Sequence, residues 1–292
     1  MNGILLIDKP TDWTSNDVVI KLKGILHQRR VGHSGTLDPM ATGLLVVFVG
    51  RATRAVEFAE ADSKRYIAGL RLGISTDTQD ITGTVLEEKA VNITEEQLLK
   101  ALSSFTGEID QIPPMYSALK VNGQKLYDIA RKGGEVERKA RRIKISEIKL
   151  LGQENGDYIL DVSCSKGTYI RTLCHDIGQH LGCGGCMSSL QRISAGVFSV
   201  NDAHSLADVQ AAADRGALES LLLPVDSLFA SMPTFIASQA QEKRIRNGND
   251  IKAGTADGGY RVYSENGEFL MLGHAEAGIM KTVKSFFEVE VK

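Results

Sequence analysis

The sequence predicts an α+β protein, and three observations carry this. Two strand-like runs, 143–151 and 158–165, flank Asn155-Gly156, a strong hairpin signal. Helices announce themselves separately, through caps and 3.6-residue apolar spacing, as at Thr94-Glu95-Glu96-Gln97. The last sixty or so residues place one basic helix (239–246) among short strands separated by Gly.

Taken in order, Ile4-Leu5-Leu6-Ile7 reads as a first strand, and Asp8-Lys9-Pro10-Thr11-Asp12-Trp13 as a turn. Ser15 is the expected N-cap of a helix with Val18, Val19, Leu22, Ile25 and Leu26 on its apolar face. Residues 44–49 form an unbroken apolar run, the signature of a buried strand. A helix is expected at 52–61 and a strand at 64–74, with Tyr66, Ala68, Leu70 and Leu72 on one face. The polar loop 76–83 holds Asp77 and Asp80, whose short side chains suit either turn formation or a site.

The capping box at Thr94 opens a helix ending near Gly107. Residues 112–116 must be extended around Pro113-Pro114, and Asn122-Gly123 marks a tight turn. A short helix at 126–132 stops at Gly133-Gly134. After the hairpin, Thr168 is the expected N-cap of a helix with Ile170, Leu173, Ile177 and Leu181 inward. Arg171 falls in its first turn, where the helix dipole disfavours a cation lacking an anionic partner. A strand at 188–200 and a capped helix at 205–219 follow, and a boundary is expected at 224–233, where Pro224 and Pro233 interrupt the pattern.

Composition narrows the class. The chain has 292 residues, 42% hydrophobic and 24% charged, values typical of a globular protein with ample core. No apolar run approaches the roughly 18 residues of a membrane helix, and the first residues lack a signal-type segment, so a cytoplasmic protein is expected. Net charge is only −2, yet residues 21–30 carry four basic and no acidic residues, and 131–144 carry seven basic against two acidic. Such local runs suit phosphate contact, or simply form solvated faces. The four cysteines include one C-x-x-C pair, Cys183 and Cys186, which gives weak support for zinc; reduced, structural thiols and no metal are expected.

The segment Gly32-His33-Ser34-Gly35-Thr36-Leu37-Asp38-Pro39-Met40-Ala41-Thr42-Gly43 stands out as a loop that could present one carboxylate. It lacks the G-x-x-x-x-G-K-[ST] pattern of a phosphate loop, and a plain turn with Asp38 as a cap is the simpler alternative. This segment, together with Lys64-Arg65-Tyr66, Lys166-Gly167-Thr168-Tyr169-Ile170-Arg171, Asp8-Lys9-Pro10 and Thr76-Asp77-Thr78 with Asp80, resembles the TruB-type tRNA pseudouridine synthases of bacteria. The motifs occur in order across roughly the first 230 residues. One departure is Asp12, where the family usually has Gly; Asp still tolerates left-handed φ. The family supplies no role for Cys183 and Cys186.

The resemblance implies a pseudouridine-synthase fold: a mixed, largely antiparallel central sheet flanked by helices, with residues 1–230 catalytic and 231–292 a small PUA-like RNA-binding module. It implies isomerisation of the T-loop uridine at tRNA position 55, without cofactor or guide RNA, by a monomer that flips the base out of the stack. Asp38 would be the nucleophile, acting at C1′ or C6 or assisting a glycal route. Arg171 would keep it ionised, and Tyr66 would pack on the base and assist loss of the C5 proton. His33 would fill the space the base vacates, and Lys9, Tyr169 and Asp80 would shape the pocket. A T-arm-binding chaperone without chemistry and a guide-dependent pseudouridylase are the competing readings.

Overall fold

The computed structural model describes residues 1–59, 63–117, 119–121 and 123–287. Strand β1 (Gly3–Lys9) leads to helix α1 (Ser15–Ile25), then β2 (Val31–Ser34), a loop at 35–41, and β3 (Thr42–Val49). A 3₁₀ segment (Gly50–Ala55) and the single turn α2 (Val56–Ala59) precede β4 (Lys64–Leu72). The hairpin β5 (Ile74–Thr76) and β6 (Val85–Glu88), helix α3 (Glu95–Ser104) and strand β7 (Gly107–Gln111) follow. A small excursion, β8 (Lys120–Val121), β9 (Gln124–Lys125) and α4 (Leu126–Ala130), returns to the long pair β10 (Arg141–Glu154) and β11 (Asp157–Cys164). Next come α5 (Ile170–His180), β12 (Gly185–Ala195), β13 (Phe198–Ser199) and α6 (Leu206–Asp214). The C-terminal part holds β14 (Thr234–Ala237), α7 (Gln239–Arg246), β15 (Ile251–Lys252), β16 (Gly258–Ser264), β17 (Phe269–Glu276) and β18 (Ile279–Ser285).

Nine strands form one sheet in the order β1-β3-β12-β4-β11-β10-β7, with β2 paired to β3 and β13 to β12. Its pairings are antiparallel except β12 on β3, so the sheet is mixed and largely antiparallel, as expected. The exception matters for the site. Strands β2 and β12 share one edge of β3, β2 against Val46–Val49 and β12 against Thr42 and Gly43, so the loop 35–41 emerges where they meet. The second sheet runs β14-β16-β17-β18-β15.

Side-chain alternation assigns the faces. Tyr66, Ala68, Leu70 and Leu72 of β4 turn inward with Leu160, Val162 and Cys164 of β11, and α5 covers them with Ile170, Leu173 and Ile177. Each fully buried Leu or Val there contributes roughly 1.5–3 kcal/mol by leaving water. At the other end, α1 packs Val18, Leu22 and Ile25 against Leu5, Ile7, Leu45 and Val47. The two sheets meet through an aromatic cluster in which Phe229 contacts Phe58 edge-on and Phe286 stacks on Phe269.

Several element ends differ from the sequence expectations. Thr14, not Ser15, caps α1: its side chain accepts from Asp17 N–H in a full capping box, which frees the Ser15 hydroxyl for another task. Likewise Tyr169 occupies the N-cap of α5 with no side-chain cap, while Thr168 donates to the Ser165 carbonyl at 2.9 Å. The helix expected at 52–61 is mostly 3₁₀, and its last two positions lie outside the described residues. The strand expected at 64–74 breaks at Gly73, whose φ of +85° ends the extended run. The strand expected at 188–200 starts earlier, at Gly185, and turns at Gly196. The helix expected at 205–219 ends at Asp214, and the last strand, expected at 280–291, runs Ile279–Ser285, with 288–292 outside the described residues. Asn122 of the expected tight turn also lies outside them. No helix is long and apolar enough to cross a membrane.

Candidate active site

The loop 35–41 is held from below by α1 and the end of β1. The Ser15 hydroxyl accepts from Leu37 N–H at 2.9 Å and donates to Leu37 O at 3.2 Å. Lys9 is fully buried, and its ammonium donates to the carbonyls of Pro10 (2.8 Å), Trp13 (2.6 Å) and Pro39 (3.1 Å). Burial brings the Lys9 pKa down to about 8, opposed chiefly by the Asp38 carboxylate. Asp38 thus rides between two anchored neighbours, Leu37 and Pro39, a rigid mount for one side chain.

Arg171 comes from the first turn of α5, and its fork meets both oxygens of Asp38, Nε to Oδ2 at 2.9 Å and Nη2 to Oδ1 at 3.2 Å. Its remaining donors reach the Thr78 carbonyl (3.1 Å), Asp80 Oδ2 (3.5 Å) and the Tyr116 carbonyl (2.7 Å). A guanidinium has five N–H donors; here the four on Nη1 and Nη2 have acceptors and Nε lies in ion-pair contact with Asp38. The anionic partner that the helix dipole demanded is therefore Asp38, with Asp80 behind. Asp80 is buried and is itself fixed by Thr78 and Thr82, whose hydroxyls donate to Oδ1 at 2.9 and 2.6 Å.

The Asp38 side chain is 34% exposed against 6% for Arg171, so the carboxylate is open on one side while its cation is enclosed. Burial raises the Asp38 carboxyl, and Arg171 opposes the rise. Such a pair supplies a carboxylate poised to attack or accept, oriented by bidentate contact. Tyr66 lies close by on β4, 7% exposed, its phenol pushed up by burial and pulled back by the nearby Arg192. Tyr169 is half-buried at the start of α5, and burial raises its phenol. His33 stands on β2 with a buried Nδ1 that has no partner among the described residues, and burial lowers its pKa.

The fold thus brings Asp38, Arg171, Asp80, Lys9, Tyr66 and Tyr169 around one loop, with His33 on the strand that feeds it. Sequence reasoning missed four contributors. Ser15 carries the sequence signal of a cap, not of a loop anchor. Tyr116 acts through its carbonyl, which no side-chain pattern reveals. Gln111 is buried and clamps the Tyr169 backbone, accepting from its N–H at 2.8 Å and donating to its carbonyl at 3.0 Å. Arg192 left one signal, a charge on the same strand face as buried Leu190. A groove of about 600 Å³ on the opposite face, lined by Ile67 and Gln191 among others, touches the loop only through Met40 and Thr42. Among the described residues no cluster of three His, Cys, Asp or Glu side chains could hold a metal ion, and all four cysteines are buried free thiols.

A mixed, largely antiparallel sheet with a loop carboxylate clasped by a helix arginine fits the pseudouridine-synthase fold that the sequence motifs imply, and comparison with known proteins tests that class. The TruB family pseudouridylate synthase N-terminal domain matches residues 23–170, and the tRNA pseudouridylate synthase B C-terminal domain matches 171–230. The tRNA pseudouridine synthase B of Clostridium kluyveri is 43% identical, covering 98% of this chain and all of the relative. That of Alkaliphilus oremlandii is 45% identical over 86% of this chain and 83% of its own. A chain of a crystallised Cbf5-Nop10-Gar1 complex superposes with a TM-score of 0.76 at 25% identity, covering 99% of this chain and 86% of that one. The chain belongs to the TruB family of pseudouridylate synthases.

Proposed function

We propose that this enzyme converts the T-loop uridine of tRNA at position 55 to pseudouridine, unaided by guide RNA or cofactor. The observation that carries the reading is the bidentate Asp38–Arg171 pair, closed to solvent on the arginine side and open on the carboxylate side. The isomerisation breaks N1–C1′, turns the uracil and joins C5 to C1′. C5 gives up a proton and N1 gains one, with no net hydrolysis or redox change. Asp38 supplies the carboxylate, Arg171 keeps it ionised, and Tyr66 faces the base. Lys9, Asp80 and Tyr169 hold the pocket's shape.

A stacked T-loop uridine must first leave its stack, at a cost of about a few kcal/mol. His33 is placed to occupy the vacated space. The exposed basic residues of 21–30 and 131–144 serve the phosphates, and residues 231–292 act as a PUA-like module that adds RNA contact. The enzyme works as a cytoplasmic monomer. Incubation of the purified protein with an unmodified tRNA transcript, followed by site-resolved pseudouridine mapping, tests this directly. Pseudouridine at the T-loop position with no other macromolecule present is expected. A requirement for added RNA would favour a guide-dependent enzyme, and binding without product would favour a chaperone.

A further inference from the structure

Arg192 is the largest side chain among the described residues with under 2% exposure. A buried guanidinium costs several kcal/mol unless its donors are matched. Among the described residues Arg192 forms no ion pair. Instead Nε donates to the Leu44 carbonyl at 2.7 Å and Nη2 to the Gly35 carbonyl at 2.9 Å. These two carbonyls bracket the loop that carries Asp38, and they fix the plane of the fork at its mouth.

The register of β12 sets Arg192 directly across from Tyr66 on β4 and across from Gly43 on β3. Side chains of directly paired residues share a sheet face, so the guanidinium lies on the same face as the Tyr66 phenol and its charge acts on it. A planar fork with separated donors can hold two carbonyls and keep its charge in one place; a lysine ammonium on a flexible stem cannot do so in one fixed geometry. Gly35 leaves room for this, since a Cβ there would sit 3.2 Å from Arg192 Nη1.

We infer that Arg192 is a positioning residue for the isomerisation: anchored on Gly35 and Leu44 and paired across the sheet with Tyr66, its fixed cation sets the direction in which the Tyr66 hydroxyl faces the base. The inference rests on the role proposed for Tyr66. A cation held on the β12 side draws the lone pairs of the phenol oxygen toward itself, which turns the O–H toward the site. The other groups around the pair are Cys164 on β11 and the Asp38 carboxylate near the phenol, and His33 on β2 and Lys9 on β1 near the guanidinium. Lys64 reaches the same glycine from β4.

The test uses the full chain labelled with 3-fluorotyrosine, the Tyr66 resonance being assigned by its loss in Tyr66→Phe. Arg192→Lys and Arg192→Gln are expected to keep T-arm affinity and to lower the single-turnover rate about 100-fold. Both should move the Tyr66 fluorine shift, and Arg192→Gln should move its titration to higher pH. In a Tyr66→Phe background, Arg192→Gln should cost less than about threefold further, because its effect passes through the phenol. A Tyr66 resonance and titration unchanged in both variants, or a fully multiplicative loss in the double variant, overturns the inference. So does failure of both variants to fold, which would assign Arg192 to the fold alone. Failure of the Tyr66 role itself reads differently, as a wild-type rate in Tyr66→Phe.

Discussion

Arg171 closes on Asp38 at both carboxylate oxygens, an ion-pair contact from Nε to Oδ2 at 2.9 Å and a hydrogen bond from Nη2 to Oδ1 at 3.2 Å, across 133 positions of sequence. Replacing Asp38 with Asn keeps the shape and removes the charge. Arg171 retains Asp80 and the carbonyls of Thr78 and Tyr116, so no buried cation is stranded. The Asp38→Asn protein is therefore expected to fold and bind the T-arm normally while losing product formation by about 10⁴-fold or more, as removal of a nucleophile does. A tritium-release assay on C5-labelled tRNA, beside a filter-binding curve, reads both quantities. Wild-type turnover would remove Asp38 from the chemistry.

Arg171→Lys keeps a positive charge but cannot span both carboxylate oxygens. The rate is expected to fall about 100-fold from misorientation alone. Burial already raises the Asp38 carboxyl, and Arg171 is what restrains it. Activity requires the ionised form, so it falls as pH drops through the Asp38 pKa. Weakening the restraint moves that acid limb to higher pH. Single-turnover rates measured across pH for both proteins check the sign; an acid limb unmoved or displaced downward would break the link between the two residues.

These two residues also show how far the sequence is legible. Asp38, Tyr66 and Arg171 are picked out together by the motifs of the family resemblance, and local physics alone singles out only Arg171, whose place at a helix start calls for an anionic partner. Strand faces followed from alternation, and the hairpin from Asn155-Gly156, because those signals are local. What stayed hidden depends on pairing between distant segments. The parallel contact of β12 with β3 brings Arg192 under the loop, yet neither strand alone encodes a parallel neighbour. The Tyr116 carbonyl and the Ser15 hydroxyl act through contacts 55 and 22 positions away, so only the assembled fold reveals them.

His33 gives a stability signature. Burial, with the charge of Arg192 adding to it, lowers its pKa below the ordinary 6.5. The unfolded chain therefore binds this proton more tightly than the folded one, and folded-state stability declines as pH falls through 6.5 toward the folded value. His33→Gln should flatten the fall of Tm between neutral and mildly acidic pH. His175 is lowered by burial in the same way, so part of the slope should persist. Parallel scanning calorimetry of the two proteins provides the comparison, and an identical slope would mean that His33 titrates normally.

Arg29 and Arg30 are exposed just before β2, which places two charges beside the strand that carries His33. If they meet phosphates, each releases counterions on binding. Arg29→Ala with Arg30→Ala should weaken tRNA binding and lower the slope of log K against log salt by about 1 per lost contact. The rate of the bound complex should stay near that of the unaltered enzyme. Titrations at several salt concentrations measure the slope; an unchanged slope would make this run a solvated face.

Gly43 ends the Asp38 loop at φ +92°, a region costly for any side chain. An added Cβ would also stand 2.4 Å from the Arg192 carbonyl and 2.9 Å from its nitrogen, both backbone atoms that cannot swing aside. Gly43→Ala must therefore push β12 from β3 at their one parallel contact, which is where Arg192 and the loop are joined. The expected cost is about 2 kcal/mol or more in urea unfolding, from strain and the broken pairing together. Gly24→Ala is the matched control, for nothing lies within 4 Å of its added Cβ and helix α1 favours alanine there. Because the loop stem moves with β12, the Gly43 variant should lose rate as well as stability, whereas the Gly24 variant should keep its rate and gain slightly in stability. Equal behaviour of the two would show that the junction yields without disturbing the loop, and the rigid mount assigned to Asp38 would have to lie with Ser15 and Lys9 alone.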